Sequence, residues 1–257
     1  MRCKSNYFTT EIFGICLQMN IRIWKNRYES ERSTIAQNFK DWFNGKPLGI
    51  GSNTFKVLAI RDYVNNPQMV AECIWKLSNR NSAANGALMR TSVIGLWNDD
   101  TEKYATEVCK LTHYDPRCTG SFAIVSLLIN NLVYNNQILP LEQLIKIGER
   151  HDSRIKEYLL QACHTKSLDD FILDGISMGY TLDTLAVAIW SLYHCSSFEE
   201  GLLAIVNAGG DADTNAAVGC SLLGAKYGYS TIPKKYIDGL TKKDKLSALS
   251  NQLASII

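Results

Sequence analysis

Apolar residues recur at i, i+3, i+4 and i+7 along nearly the whole chain, while runs alternating apolar and polar residues are scarce. A period near 3.6 puts the apolar side chains on one face of a helix, so the pattern predicts helices rather than strands. Candidate helices run over 12–23, 31–43, 52–65, 89–96, 101–111, 117–134, 140–150, 153–163, 168–178, 181–195 and 198–208. The 117–134 segment is apolar on most faces and reads as a central helix. Asn44-Gly45-Lys46-Pro47 marks a turn, and Pro67 signals a stop or a turn after 52–65. Pro140 sits at an early helical position that tolerates it. A run of small and apolar residues from Ala216 to Ala225 reads as a buried helix with Asp213 or Thr214 near its N-cap. There is no heptad, tandem repeat or low-complexity linker. The expectation is an all-α fold, a single compact multi-helix domain spanning residues 1–257.

Composition adds exclusions. A length of 257 residues suits one large domain with a single core. A net charge of +2 gives no electrostatic case for a nucleic-acid partner. No apolar run approaches the length of a membrane span. The N-terminal apolar stretch is interrupted by Thr9, Thr10 and Glu11 and has no clean cleavage site, so it does not read as a signal peptide. Eight cysteines, at 3, 16, 73, 109, 118, 163, 195 and 220, form neither CxxC pairs nor zinc-finger spacings. They read as reduced core thiols of a cytoplasmic protein.

The chemistry concentrates in Gly209-Gly210-Asp211-Ala212-Asp213-Thr214-Asn215. The glycines allow a tight turn and a close backbone approach. Asp211, Asp213 and Thr214 offer hard oxygen ligands, suited to Mg²⁺, Mn²⁺ or Ca²⁺ rather than zinc. The same residues are also ordinary helix caps, so a capped helix without metal fits the local string equally well. Three further patches stand out. Asn85-Gly86-Ala87-Leu88-Met89-Arg90 reads either as a helix-start loop or as a cradle of free N–H groups for an anion. Thr112-His113-Tyr114-Asp115-Pro116-Arg117 joins two apolar helices, with Asp115-Pro116 as cap and first turn. Gly49-Ile50-Gly51-Ser52-Asn53-Thr54 is a turn that could hold a phosphate. Tyr180, before the 181–195 helix, could stack on a ring or lie half-buried at the surface.

Taken together, these strings resemble the ADP-ribosylglycohydrolase family. GGDADTNAAVGCSLLGAKYG, continuing to Ile232-Pro233, is similar to the family's C-terminal signature, and NGALMR, THYDP and GIGSNT are similar to three other family blocks. The resemblance covers roughly residues 40 to 240. It implies a pocket for ADP-ribose touched by Gly51, Ser52, Asn85, Gly86, Ala87, His113, Tyr180, Gly209 and Gly210. It further implies Mg²⁺ or Mn²⁺, one or two ions, held by Asp211, Asp213 and Thr214. The implied activity is hydrolysis of an N- or O-glycosidic bond between ADP-ribose and a modified protein side chain. An inactive ADP-ribose-binding or structural homologue is the alternative.

The N-terminal region departs from that family. Its Gly-Asp-Ala-x-Gly block has no counterpart here, and its Thr-Asp-Asp-Thr block, counted back from Asp41-Trp42-Phe43, falls on Tyr7-Phe8-Thr9-Thr10-Glu11. Both aspartates are absent there, and Glu11 is the one nearby carboxylate and the candidate catalytic acid or base. Asp211 and Asp213 balance one divalent ion, whereas a second would be poorly neutralised.

Overall fold

The computed structural model describes residues 31–97, 99–175 and 178–255. The helix expected at 12–23, and Glu11 with it, lies outside the described residues. The fold is all-α, as the periodicity predicts. Its helices are α1 (Glu31–Asn44), α2 (Ser52–Ala59), α3 (Pro67–Leu77), α4 (Thr91–Ile94), α5 (Thr101–Cys109), α6 (Pro116–Asn135) and α7 (Leu141–His151). They continue with α8 (Ile155–His164), α9 (Thr181–His194), α10 (Phe198–Asn207), α11 (Ala212–Tyr227), α12 (Lys234–Asp238) and α13 (Lys243–Ala254). Among the described residues the one β-type pairing is an isolated antiparallel bridge between Ala84 and Tyr180.

Helices α6 and α9 form the centre. Asp115 caps α6 by accepting from the Arg117 N–H at 3.0 Å, and Pro116 occupies the first helical position, where its missing donor costs nothing. Phe122, Ile124 and Leu128 of α6 and Leu182, Leu185 and Ile189 of α9 are fully buried. Each such side chain contributes about 1.5–3 kcal/mol relative to exposure. Helix α11 packs against α9 and α10 through Gly219, where any Cβ would run into Ile205. A smaller core lies beside this one. Ile35, Ala36 and Phe39 of α1 share a helix face and meet Val57 and Leu58 of α2, Tyr63, Val70 and Leu111.

Three expected helices take other forms. The 52–65 helix ends at Ala59 because Ile60 turns extended, and Asp62 then accepts from the Asn65 and Asn66 side-chain amides at 2.7 and 2.9 Å. Pro67 opens α3 rather than stopping a helix. Lys40 Nζ donates to the Leu58 and Ile60 carbonyls at the end of this helix, at 2.6 and 3.1 Å. In place of the 168–178 helix, Leu168–Asp170 form a 3₁₀ turn that ends where Phe171 turns extended, and Gly175 and Gly179 adopt φ of 83° and 85°. The 89–96 helix divides into a 3₁₀ turn, Asn85–Arg90, followed by the short α4. Helix α11 starts at Ala212 with Asp211 as N-cap, earlier than the cap at Asp213 or Thr214 that the sequence suggests. Among the described residues no helix is long and apolar enough to cross a membrane.

Candidate functional site

A cavity of about 420 Å³ opens at the seam between the two cores. That size falls within the roughly 300–1,000 Å³ of ligand pockets. One wall is Phe39 and Trp42 of α1, which lie three residues apart and so share a helix face. A second wall is Gly51 to Thr54 at the start of α2. The opposite side presents Asn85, Gly86 and Arg90, then His113, and finally Asp211 and Thr214.

Backbone pairing sets this geometry. The Asn85 N–H donates to the Gly179 carbonyl and the Thr181 N–H to the Ala83 carbonyl, both at 2.9 Å. This pair ties the 83–85 segment to the start of α9. Asn85 Nδ2 then donates to Asp211 Oδ2 at 2.7 Å and to Thr184 Oγ1 at 2.9 Å, and Thr184 donates onward to Asn215 Oδ1 at 2.8 Å. The buried chain Asn85–Thr184–Asn215 leaves none of its members short of a partner, which rigidifies the junction.

The acidic loop is equally constrained. Gly209 and Gly210 adopt φ of 76° and 60°, and a Cβ at Gly210 would overlap the Leu173 carbonyl. Only glycine passes that point without strain. Asp213 turns back on its own helix and accepts from the Thr214 N–H at 3.0 Å. Burial, and then the neighbouring Asp211 carboxyl, hold the Asp213 carboxyl above the ordinary carboxylate range. Among the described residues neither aspartate is ion-paired with a lysine or arginine. Two adjoining carboxylates without a basic neighbour, beside a threonine hydroxyl, are a donor set that fits one hard divalent cation. No third His, Cys, Asp or Glu joins them among the described residues.

His113 is buried at the cavity wall. Its Nδ1 lies 2.8 Å from Thr112 Oγ1, and its Nε2 has no partner among the described residues. Burial, helped by the Arg90 charge, pushes its pKa down to about 3, so the ring is neutral.

Of the residues singled out in the sequence, Gly51, Ser52, Asn85, Gly86, His113, Asp211 and Thr214 line this one cavity. Asp213, next to Asp211, does not line it. Ala87 points into the main core and is 1% exposed. Gly209 and Gly210 shape the loop without lining the cavity. Tyr180 faces an adjacent shallow depression, where the Arg117 guanidinium lies 5.5 Å from its ring centroid. Phe39 and Trp42 were not legible as wall residues, because they look like ordinary core positions of an amphipathic helix, whereas Asn53 belongs to the turn singled out at 49–54. Asn53 donates to the Thr112 carbonyl at 2.9 Å and accepts from Ser82.

Comparisons with known proteins agree on this chain's relatives. A family model described as ADP-ribosylglycohydrolase matches residues 15–257. The "ADP-ribosylarginine hydrolase Tri1" of Serratia proteamaculans is 29% identical over 153 residues, covering 55% of this chain and 37% of that protein. The "ADP-ribosyl-[dinitrogen reductase] glycohydrolase" of Rhodospirillum rubrum is 25% identical over 216 residues, covering 81% of this chain and 66% of that protein. The chain thus spans about a third of the first relative's length and just under two thirds of the second's. A solved structure titled "ADP-ribosylglycohydrolase-related protein complex" superposes with a TM-score of 0.67 at 21% identity, over 95% of this chain and 79% of that one, a likeness of fold.

Proposed function

The chain belongs to the ADP-ribosylglycohydrolase family, and on that premise we propose that it hydrolyses the glycosidic bond joining ADP-ribose to a modified protein side chain, with Mg²⁺ as cofactor. The observation that carries this reading is the convergence of Asn85, His113, Asp211 and Thr214, from three distant segments, on one cavity of about 420 Å³.

Asp211, Asp213 and Thr214 would hold one ion, Mg²⁺ or Mn²⁺. When bound, such an ion supplies Lewis acidity toward oxygen ligands. The remaining work falls to the chain itself. Asn85 orients the Asp211 carboxylate by a hydrogen bond. The start of α2 lines the cavity, and the uncapped N–H groups of its first turn would stabilise an anionic ligand group there. Phe39 and Trp42 give a half-apolar wall that suits a sugar or base face. Glycosidic cleavage passes through an oxocarbenium-like state. The six described cysteines, Cys73, Cys109, Cys118, Cys163, Cys195 and Cys220, are free thiols, which supports a reducing, cytoplasmic setting.

A second reading has its own observation: the two aspartates lack a third acidic partner among the described residues. On it, the cavity binds ADP-ribose without turnover. Release of ADP-ribose from an arginine-modified protein, followed with and without Mg²⁺, separates the two. Mg²⁺-dependent release that Asp211→Ala abolishes supports the hydrolase. Binding without release, at saturating Mg²⁺ and across arginine- and serine-linked substrates, supports the second reading and overturns the first.

A further inference from the structure

Arg90 is a buried cation, 4% exposed, in no ion pair among the described residues. Its guanidinium carbon lies 4.6 Å from the Phe39 ring centroid. Its Nη2–H donates to Thr112 Oγ1 at 2.7 Å. The same hydroxyl lies 2.8 Å from His113 Nδ1.

Donor and acceptor roles along this row follow from chemistry. An arginine can only donate, so the Thr112 oxygen accepts from it. Among the described residues the Thr112 proton then has one acceptor within reach, His113 Nδ1. Were Nδ1 protonated instead, the hydroxyl proton would point at nothing in a buried site, and leaving a buried donor unmade is costly. Nδ1 is therefore the acceptor, and the single proton of the neutral ring sits on Nε2. That nitrogen is buried and has no partner among the described residues. Gly86 lies against it: a Cβ there would stand 3.2 Å away.

We infer that Arg90 and Thr112 act as positioning residues that fix His113 as its Nε2–H tautomer, a standing donor to an anionic oxygen of the ligand in the cavity. His113 is then neither a base nor a switchable acid. The nearby unpaired guanidinium favours an anionic acceptor over a neutral one. The ligand end rests on the proposed reading of the cavity, with ADP-ribose as the ligand. The tautomer does not.

Nitrogen-15 NMR of imidazole-labelled protein tests this, since protonated and unprotonated ring nitrogens resonate far apart. His113→Gln assigns the signals. The free protein is expected to show His113 with Nε2 protonated and Nδ1 bare, and Thr112→Ser to preserve that pattern. Thr112→Val, close to isosteric, is expected to lose the fixed tautomer and to bind ADP-ribose about tenfold more weakly, as for one hydrogen bond to a charged group. Thr112→Ser restores the affinity. A protonated Nδ1 in the free protein, or an unchanged pattern in Thr112→Val, overturns the positioning role. ADP-ribose that binds without moving the Nε2 resonance overturns the donor role. ADP-ribose that does not bind at all overturns the reading of the cavity, and the donor role with it, whereas the tautomer is decided in the free protein alone.

Discussion

Asn85 Nδ2 meets Asp211 Oδ2 at 2.7 Å, although 126 positions separate the two residues in the chain. The amide also holds Thr184, so one side chain locks the acidic loop to the start of α9. Asn85→Ala removes both bonds and leaves Thr184 and Asp211 short of a donor. The expected cost is about 1–3 kcal/mol of stability, read as a lowered urea midpoint. Mg²⁺ affinity is expected to fall about tenfold, because Asp211 loses its orientation. Unchanged Mg²⁺ affinity in a folded Asn85→Ala protein would contradict the role given to this contact.

Gly210 is the pivot of the acidic loop, with φ of 60° against the Leu173 carbonyl. Gly210→Ala combines left-handed strain with a backbone clash. An expected loss of about 1–3 kcal/mol is measured by denaturant unfolding, together with weakened ligand binding. Gly224→Ala, in open space on a helix, is expected to leave stability the same or slightly raised.

His113 makes stability pH-dependent. Its pKa in the folded protein lies at about 3, against an ordinary 6.5. Below pH 6.5 the unfolded chain takes up a proton that the folded protein refuses, so the unfolded state binds more protons and folding weakens as pH falls toward about 3. The effect is absent above that window, where both states are neutral. Between pH 7 and pH 5 the expected loss is about 2 kcal/mol. Urea midpoints at the two pH values check it: His113→Gln should show a flatter dependence, and an equally steep one would refute the assignment.

Much of this molecule was legible before its structure. The 117–134 and 181–195 runs gave α6 and α9 nearly to the residue, because helices buried on most faces leave long uninterrupted apolar segments. Asp115-Pro116 and Gly209-Gly210 marked a helix start and a turn through elementary backbone chemistry. Elements set by tertiary contact were not legible. The 168–178 segment has helical spacing, yet Phe171 turns extended after a 3₁₀ turn, and Gly179, at positive φ, pairs with Asn85. Helix α3 was hidden because Pro67 reads as a stop unless the turn before it is known. The site was visible as separate strings, but their meeting was not. The bridge from Ala84 to Tyr180, the Arg90–Thr112–His113 row and the aromatic wall of α1 join residues that no local pattern connects.

The central claim is that Asp211, Asp213 and Thr214 hold one divalent ion beside an ADP-ribose cavity. Calorimetric titration with ADP-ribose, with and without Mg²⁺, tests it most directly, using the wild type and Asp211→Asn. The account predicts binding that tightens at least tenfold with Mg²⁺ in the wild type and loses that dependence in Asp211→Asn. Binding of equal strength in the presence and absence of Mg²⁺, or no heat in either condition, would contradict it.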